Sequence, residues 1–128
     1  MLASETHREL MLAAQAYFDA FYTSDIEQMR AVFHPGARLF SYEAGVLQDE
    51  GLADYLKRVA ARPSPASLGQ PRHDAILLVD QAGPGLAMIK SQAARLPRVY
   101  TDYITLLKID GHWRVMSKTF TWTEHADC

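Results

Sequence analysis

The 128-residue sequence predicts an α+β fold: three helices packed on one face of a curved, mostly antiparallel sheet, together forming a cone. Three observations lead there. Apolar residues recur at helical spacing in three segments before residue 62. Four β-rich runs then fill the chain from Arg72 to Trp122. Asp110-Gly111 sits between the last two runs, and this dipeptide readily takes the positive φ values of a type I′ hairpin turn. A long hairpin is not stable alone, so the helices must cover its apolar face.

The first helix is expected from Ser4, a good N-cap, to about Tyr22, with Leu10, Ala14, Tyr17 and Phe21 on one face. Its second half holds Tyr17, Phe18, Ala20, Phe21 and Tyr22, apolar almost all round, as in helices buried on more than one side. Thr23-Ser24-Asp25 breaks it. Ser24 with Glu27 reads as a capping box for a short second helix carrying Ile26, Met29, Val32 and Phe33, stopped by His34-Pro35-Gly36. Ala37–Tyr42 and Val46–Gln48 read as short strands about a turn at Glu43-Ala44-Gly45. Asp49 is the expected cap of a third helix, Glu50–Arg62, with Leu52, Tyr55, Leu56, Val59 and Ala60 inward and Pro63 at its end. Pro63–Pro71, with three prolines, two serines and a glycine, is expected to be a mobile crossover.

The long strands follow as Arg72–Gln81, Leu86–Leu96, Val99–Ile109 and Trp113–Trp122. Gly83-Pro84-Gly85 turns the first into the second, and Leu96-Pro97-Arg98 the second into the third, its proline suiting a bulge or strand end. Glu124–Cys128 is a polar tail.

Bulk properties bound the function. The length suits one domain over residues 1–128, able to bury a core without disulfides or a structural metal. A net charge of −2 gives no reason to expect a nucleic acid or a membrane surface as partner. No apolar run approaches the ~20 residues of a membrane span. The opening M-L-A-S-E-T-H-R-E-L lacks a basic-then-apolar pattern, and Cys128, the single cysteine, can form no intrachain disulfide, so a cytoplasmic setting is expected. The five histidines show no H-x-x-x-H or Cys/His spacing, and there is neither a glycine-rich phosphate loop nor a G-x-S-x-G motif. Neither metal nor cofactor is expected. Helices on one face leave the other face of the sheet bare, and a homodimer through that outer face is the expected cover.

The segments Y-F-D-A-F-Y-T-S-D-I-E-Q-M-R-A-V-F-H-P-G-A and T-D-Y-I-T-L-L-K-I-D-G-H-W-R-V-M-S-K-T-F, in this order of elements, resemble the nuclear-transport-factor-2-like superfamily, which includes SnoaL-like and ketosteroid-isomerase-like proteins. The likeness spans nearly the whole chain and is nearest the lumazine-binding branch. It implies a cystatin-like α+β roll with a ligand held between the first helix and the inner sheet face. It does not imply one activity, because the superfold hosts isomerases, dehydratases, cyclases, binding proteins and interaction domains.

Strand parity nominates the pocket wall. On the last strand Met116, Lys118, Phe120 and Trp122 share one face, and Trp113, Val115, Ser117 and Thr119 the other. The first set has apolar bodies and one cation, as a pocket has; the alternative sends Lys118 to solvent or a dimer edge. On the preceding strand Asp102, Ile104 and Leu106 share one face, while Tyr103, Thr105, Leu107 and Ile109 share the other. Pattern alone leaves open which set is inward, so both Asp102 and Tyr103 are candidates. An inward Asp102 would have a raised pKa unless Lys118 or Lys90 pairs with it, which would suit an acid or base. Outward, it is a surface carboxylate or a structural ion pair.

The resemblance adds roles. Tyr17 falls where the steroid isomerases carry an oxyanion-stabilising tyrosine, and Tyr55 could aim a second hydroxyl at the same space. The carboxylate base of those isomerases should lie near Leu39–Tyr42, where this chain has L-F-S-Y, with Glu43 the nearest carboxylate. The dehydratases and cyclases use a His or Asp from the pocket wall, which makes His73 the best histidine. The leading expectation is a small, planar, partly apolar ligand. Tyr17, Phe21, Tyr55, Met116, Phe120 and Trp122 would form the walls, with Lys118, Asp102 and His73 as polar handles. Two rivals stand beside it: a cofactor-independent isomerase, dehydratase or cyclase with His73 or Asp102 as base, and an interaction module whose core is filled.

Overall fold

A computed structural model describes residues 2–125. Three helices, α1 (Leu2–Thr23), α2 (Ile26–Val32) and α3 (Leu52–Ala60), pack on a sheet of six strands. The strands are β1 (Phe33–Glu43), β2 (Val46–Gly51), β3 (Ala75–Gln81), β4 (Leu86–Arg95), β5 (Arg98–Ile109) and β6 (His112–Glu124). Their order across the sheet is β2-β1-β6-β5-β4-β3. Every neighbouring pair is antiparallel except β1 with β6. The sheet is curved and unclosed, so the α+β expectation holds.

The organising hairpin forms as its turn residues require. Asp110 and Gly111 both take positive φ, 51° and 81°, and Ile109 pairs with His112 across the two-residue loop. Ala44 and Gly45 make the same arrangement between β1 and β2. The Leu96–Pro97 peptide, in the loop between β4 and β5, is cis.

The core lies between α1 and the concave face. Tyr17, Phe18, Ala20 and Phe21 are all buried, which accounts for the nearly all-apolar second half of α1. The rings of Tyr17, Phe18 and Phe21 join Phe33, Tyr55, Tyr100 and Phe120 in a chain of tilted and edge-to-face contacts with centroids about 6 Å apart. Burying each such ring contributes on the order of 2–3 kcal/mol. Outside the core, Glu9 ties α1 to the hairpin by accepting from Lys108 and from the Trp113 indole.

Several local expectations shift. The first helix begins at Leu2, so Ser4 lies within its first turn rather than ahead of it. Asp25 caps α2, accepting from Gln28 N, because Ser24 is in the left-handed region at φ 54°. Asp49 belongs to β2, opposite Phe40 and paired with Arg38, and α3 starts two residues later than Glu50, after an unassisted Gly51. Ala60 is exposed.

Pro63–Pro71 is fastened rather than loose. Ala66 N donates to Tyr22 O, Tyr22 donates its hydroxyl to Gln70 O, and Gln70 exchanges two hydrogen bonds with the backbone of Leu96. The first long strand starts at Ala75 rather than Arg72, because Arg72 turns its guanidinium onto Asp74 and Asp19. No described helix is long and apolar enough to cross a membrane. Ala126–Cys128, and with them the cysteine, lie outside the described residues.

Candidate functional site

The site is built where β6 changes phase. Leu106 pairs with Val115, but Thr105 pairs with Ser117, so Met116 is an extra residue in β6. Before this bulge Trp113 and Val115 point into the core; after it Lys118, Phe120 and Trp122 do. Lys118 is thereby carried to the concave face and is 4% exposed. On β5 the inward set is Tyr100, Asp102, Ile104 and Leu106, with Asp102 fully buried.

Lys118 Nζ donates to Tyr17 Oη at 2.7 Å and to Tyr55 Oη at 3.5 Å. Tyr17 Oη donates in turn to Asp102 Oδ2 at 3.0 Å, and Lys118 Nζ stands 3.9 Å from the same oxygen. The rings of Tyr17, Phe21, Tyr55 and Phe120 surround the ammonium at 5.1–5.9 Å, within cation–π range. Four elements meet here: α1 brings Tyr17, α3 Tyr55, β5 Asp102 and β6 Lys118.

The electrostatics follow from burial answered by partners. Desolvation pushes the Asp102 carboxyl up, against the pull of the Lys118 charge and the Tyr17 hydroxyl. Burial works to lower the Lys118 value, but the Asp102 charge and Tyr55 outweigh it, and the ammonium is held above its ordinary range. Tyr17 is driven well above the usual phenol value, by burial first and then by the neighbouring carboxylate. Lys118 is therefore a cation and Tyr17 a neutral phenol at neutral pH. Asp102 Oδ1 has no hydrogen-bond partner among the described residues.

A cavity of about 380 Å³ opens over this network. Lys118, Tyr55, Phe21, Tyr100, Phe120 and Trp122 line its depth. Tyr17 and Asp102 are not on its surface; they stand behind Lys118. The opening is far more polar than the sequence suggested. Ser41, Glu43, Gln48, Asp49 and Glu50 come from β1 and β2, and Asp54 from the first turn of α3. Arg58, Arg62 and Arg98 come from the α3 end and the start of β5. Arg58 is held by Glu50 at 2.7 Å, and Arg98 lies on the Trp122 ring at 4.0 Å.

The nominated residues divide accordingly. Phe21, Tyr55, Lys118, Phe120 and Trp122 line the cavity, and Tyr17 and Asp102 supply the network beneath it. Three do not take part. Tyr103 is 48% exposed on the outer face under the Lys90 ammonium, because β5 alternates in the Asp102 phase. Met116 occupies the bulge and does not reach the cavity. His73 is exposed ahead of β3 and does not line the cavity. Among the described residues no His, Cys, Asp and Glu group could hold a metal ion. The arginines were missed because Arg58 and Arg62 read as the solvent side of an amphipathic helix, and Arg98 as a turn residue; only the sheet's curvature turns them to one space.

Comparison with known proteins agrees with this architecture. Residues 5–121 match the family described as "Putative lumazine-binding", and the chain belongs to that family. The aldolase FrzH of a Cladobotryum species is 22% identical over 121 residues, 93% of each chain. A nuclear-transport-factor-2-like protein of Silicibacter pomeroyi superposes with a TM-score of 0.85 at 20% identity, covering 96% of this chain and all of that one. A putative scytalone dehydratase of Novosphingobium aromaticivorans gives 0.70 at 16% identity, over 95% of this chain and 87% of its own. These likenesses establish a nuclear-transport-factor-2-like fold whose relatives include isomerase-like and dehydratase-like proteins.

Proposed function

We propose that the cavity binds a small, planar ligand and seats one of its oxygens, a carbonyl, enol or phenol, against Lys118 and Tyr55. The observation that carries this is the Lys118 ammonium. It has three donors, two of which go to the phenols of Tyr17 and Tyr55, leaving one without a hydrogen-bond partner among the described residues, at the floor of a cavity large enough for a bicyclic molecule. The walls are aromatic where a flat ring would lie. A module with a filled core is disfavoured by the same cavity. Native followed by denaturing mass spectrometry tests the reading: a non-covalent mass lost on denaturation is expected from protein purified without added ligand. If none is found, calorimetry with 2-naphthol should give saturable binding that Lys118→Met weakens at least tenfold; no saturation with either protein sinks the idea.

A second reading, catalysis, is favoured by the aldolase relative taken with the geometry. Removing a proton from carbon next to a carbonyl moves an electron pair onto its oxygen, and a desolvated ammonium with phenol neighbours stabilises that charge. Lys118 acts there as a cation, because a raised pKa leaves no free amine to attack a carbonyl. Asp102 stands behind Tyr17 and fixes the network. The carboxylate on the cavity surface that suits the base is Glu43, which receives the Ser41 hydroxyl. Deuterium uptake from D2O into the acidic C–H of 2-tetralone is expected with the wild type and absent with Glu43→Gln. Uptake unchanged in that variant, but lost in His73→Ala, would return the base to His73.

The outer face of β3–β5 exposes Leu78, Leu86, Tyr103 and Leu107. We propose that a second copy covers it, which sedimentation of Tyr103→Glu against the wild type checks: a dimer is expected for the wild type and a monomer for the variant.

A further inference from the structure

We infer that the ligand is an anion, with a carboxylate held by the arginine wall of the cavity, Arg62 and Arg98. The inference rests on reading the cavity as a ligand site and names the class of molecule that fills it.

The wall carries cations without counter-ions. Arg62 follows the last turn of α3, and its Nε is buried without a hydrogen-bond partner. The Arg98 guanidinium carbon lies 4.0 Å from the Trp122 ring centroid, and among the described residues its side chain's hydrogen bond is a 3.5 Å approach to Tyr100 Oη. Nearby Arg95 also has a buried, unpartnered Nε. Among the described residues none of these three guanidiniums has a carboxylate within ion-pair distance. Burial and the charge of Arg95 together lower the Arg62 value, so the group is placed against both solvation and like charge.

The acids of the opening do not answer it. Glu50 is engaged by Arg58, Asp49 by Arg38, and Glu43 by Ser41. Asp54 stands in the first turn of α3, and among the described residues it forms no ion pair with any of these guanidiniums. A half-buried guanidinium with a buried, unpartnered Nε and no anion beside it is unfavourable, and a bound anion relieves it. The planar fork of arginine matches a carboxylate bidentately, and Arg98 is already oriented by its stack on Trp122. Arg62 is close enough to Lys118 for its charge to lower the lysine's value. A flat molecule with an oxygen at Lys118 and a carboxylate at Arg62 would therefore join two cations that now repel.

The test compares 2-naphthoate with 2-naphthamide, which share a ring and differ in charge, by calorimetry at constant ionic strength. The wild type should bind the acid at least tenfold more tightly than the amide. Arg62→Gln should bring the ratio to within twofold by weakening the acid far more than the amide, and Arg98→Gln should reduce it in part. Equal binding of acid and amide to the wild type overturns the inference while leaving the cavity reading intact. So does a preference that survives both substitutions. Failure of both compounds to bind, with the Tyr55 and Phe120 NMR signals unmoved, removes the cavity reading and the inference with it.

Discussion

At the floor of the cavity Lys118 has a carboxylate, two phenols and four ring faces around it; along the wall Arg62 and Arg98 have one weak hydroxyl contact between them. Both regions hold cations away from bulk water. The floor has its counter-charge in Asp102, so breaking that pair harms the fold even though one ammonium donor is left for a ligand. The wall lacks a counter-charge, so its cations are arranged for something that arrives. The contrast separates groups whose removal harms stability from groups whose removal harms binding.

The strongest way to break the contrast is at the floor. Asp102→Ala leaves a buried ammonium without its anion and should cost about 3–5 kcal/mol in urea unfolding. The double variant Asp102→Leu with Lys118→Met should recover most of that loss, since apolar replacement of a buried pair is often neutral or better. A double variant no more stable than Asp102→Ala would mean that the pair itself, and not its imbalance, holds the fold.

Tyr17→Phe is the next largest, about 1–3 kcal/mol, because one hydroxyl serves both Lys118 and Asp102. Its sharper signature is in alkali. Tyr17 and Lys118 hold their protons more tightly in the folded protein than in the unfolded chain, where values near 10.0 and 10.5 apply. Their stabilisation is complete below those values and is lost as pH rises through the higher folded ones. The wild type should therefore lose stability steeply above about pH 10, and Tyr17→Phe less steeply. Parallel pH curves for the two proteins would contradict this assignment.

At the wall the sign reverses. Arg62→Gln should leave the ligand-free protein equally stable or more so, by under about 1 kcal/mol once solvent screening of its exposed part is allowed for. Thermal unfolding checks this, and a clear loss would mean that the guanidinium has structural work to do. The smallest effect belongs to neither region. Arg30→Ala breaks an exposed pair with Glu27 on α2 and should change stability by less than about 0.5 kcal/mol.

Much of the frame was legible because local chemistry and global fold agree. Asp110-Gly111 demanded a two-residue turn, and the helical spacing of Leu10, Ala14, Tyr17 and Phe21 demanded a buried face. Aromatic residues at the right parity found the depth of the cavity. What was not legible depends on non-local geometry. A bulge at Met116 reverses parity without any residue type that announces it, so Met116 was grouped with Lys118 when the strand separates them. Asp102 and Tyr103 could be told apart only once the curved sheet had an inside. His73 stood out through the resemblance to dehydratases and cyclases with a pocket-wall base, and the turn of Arg72 onto Asp19 and Asp74 leaves it outside.

The extra residue in β6 has a further consequence. The strand is read in two frames: one, ending at Val115, serves the packing under α1, and the other, starting at Lys118, serves the cavity. Deleting Met116 would merge them into one regular alternation with Val115 and Lys118 both inward; with Met116 present, it is a strand paired without the bulge that would turn either Trp113 and Val115, or Lys118, Phe120 and Trp122, to the convex side. The position of the cation is thus set by the bulge, and a strand that paired these same residues without it would keep the composition of the site and lose the site.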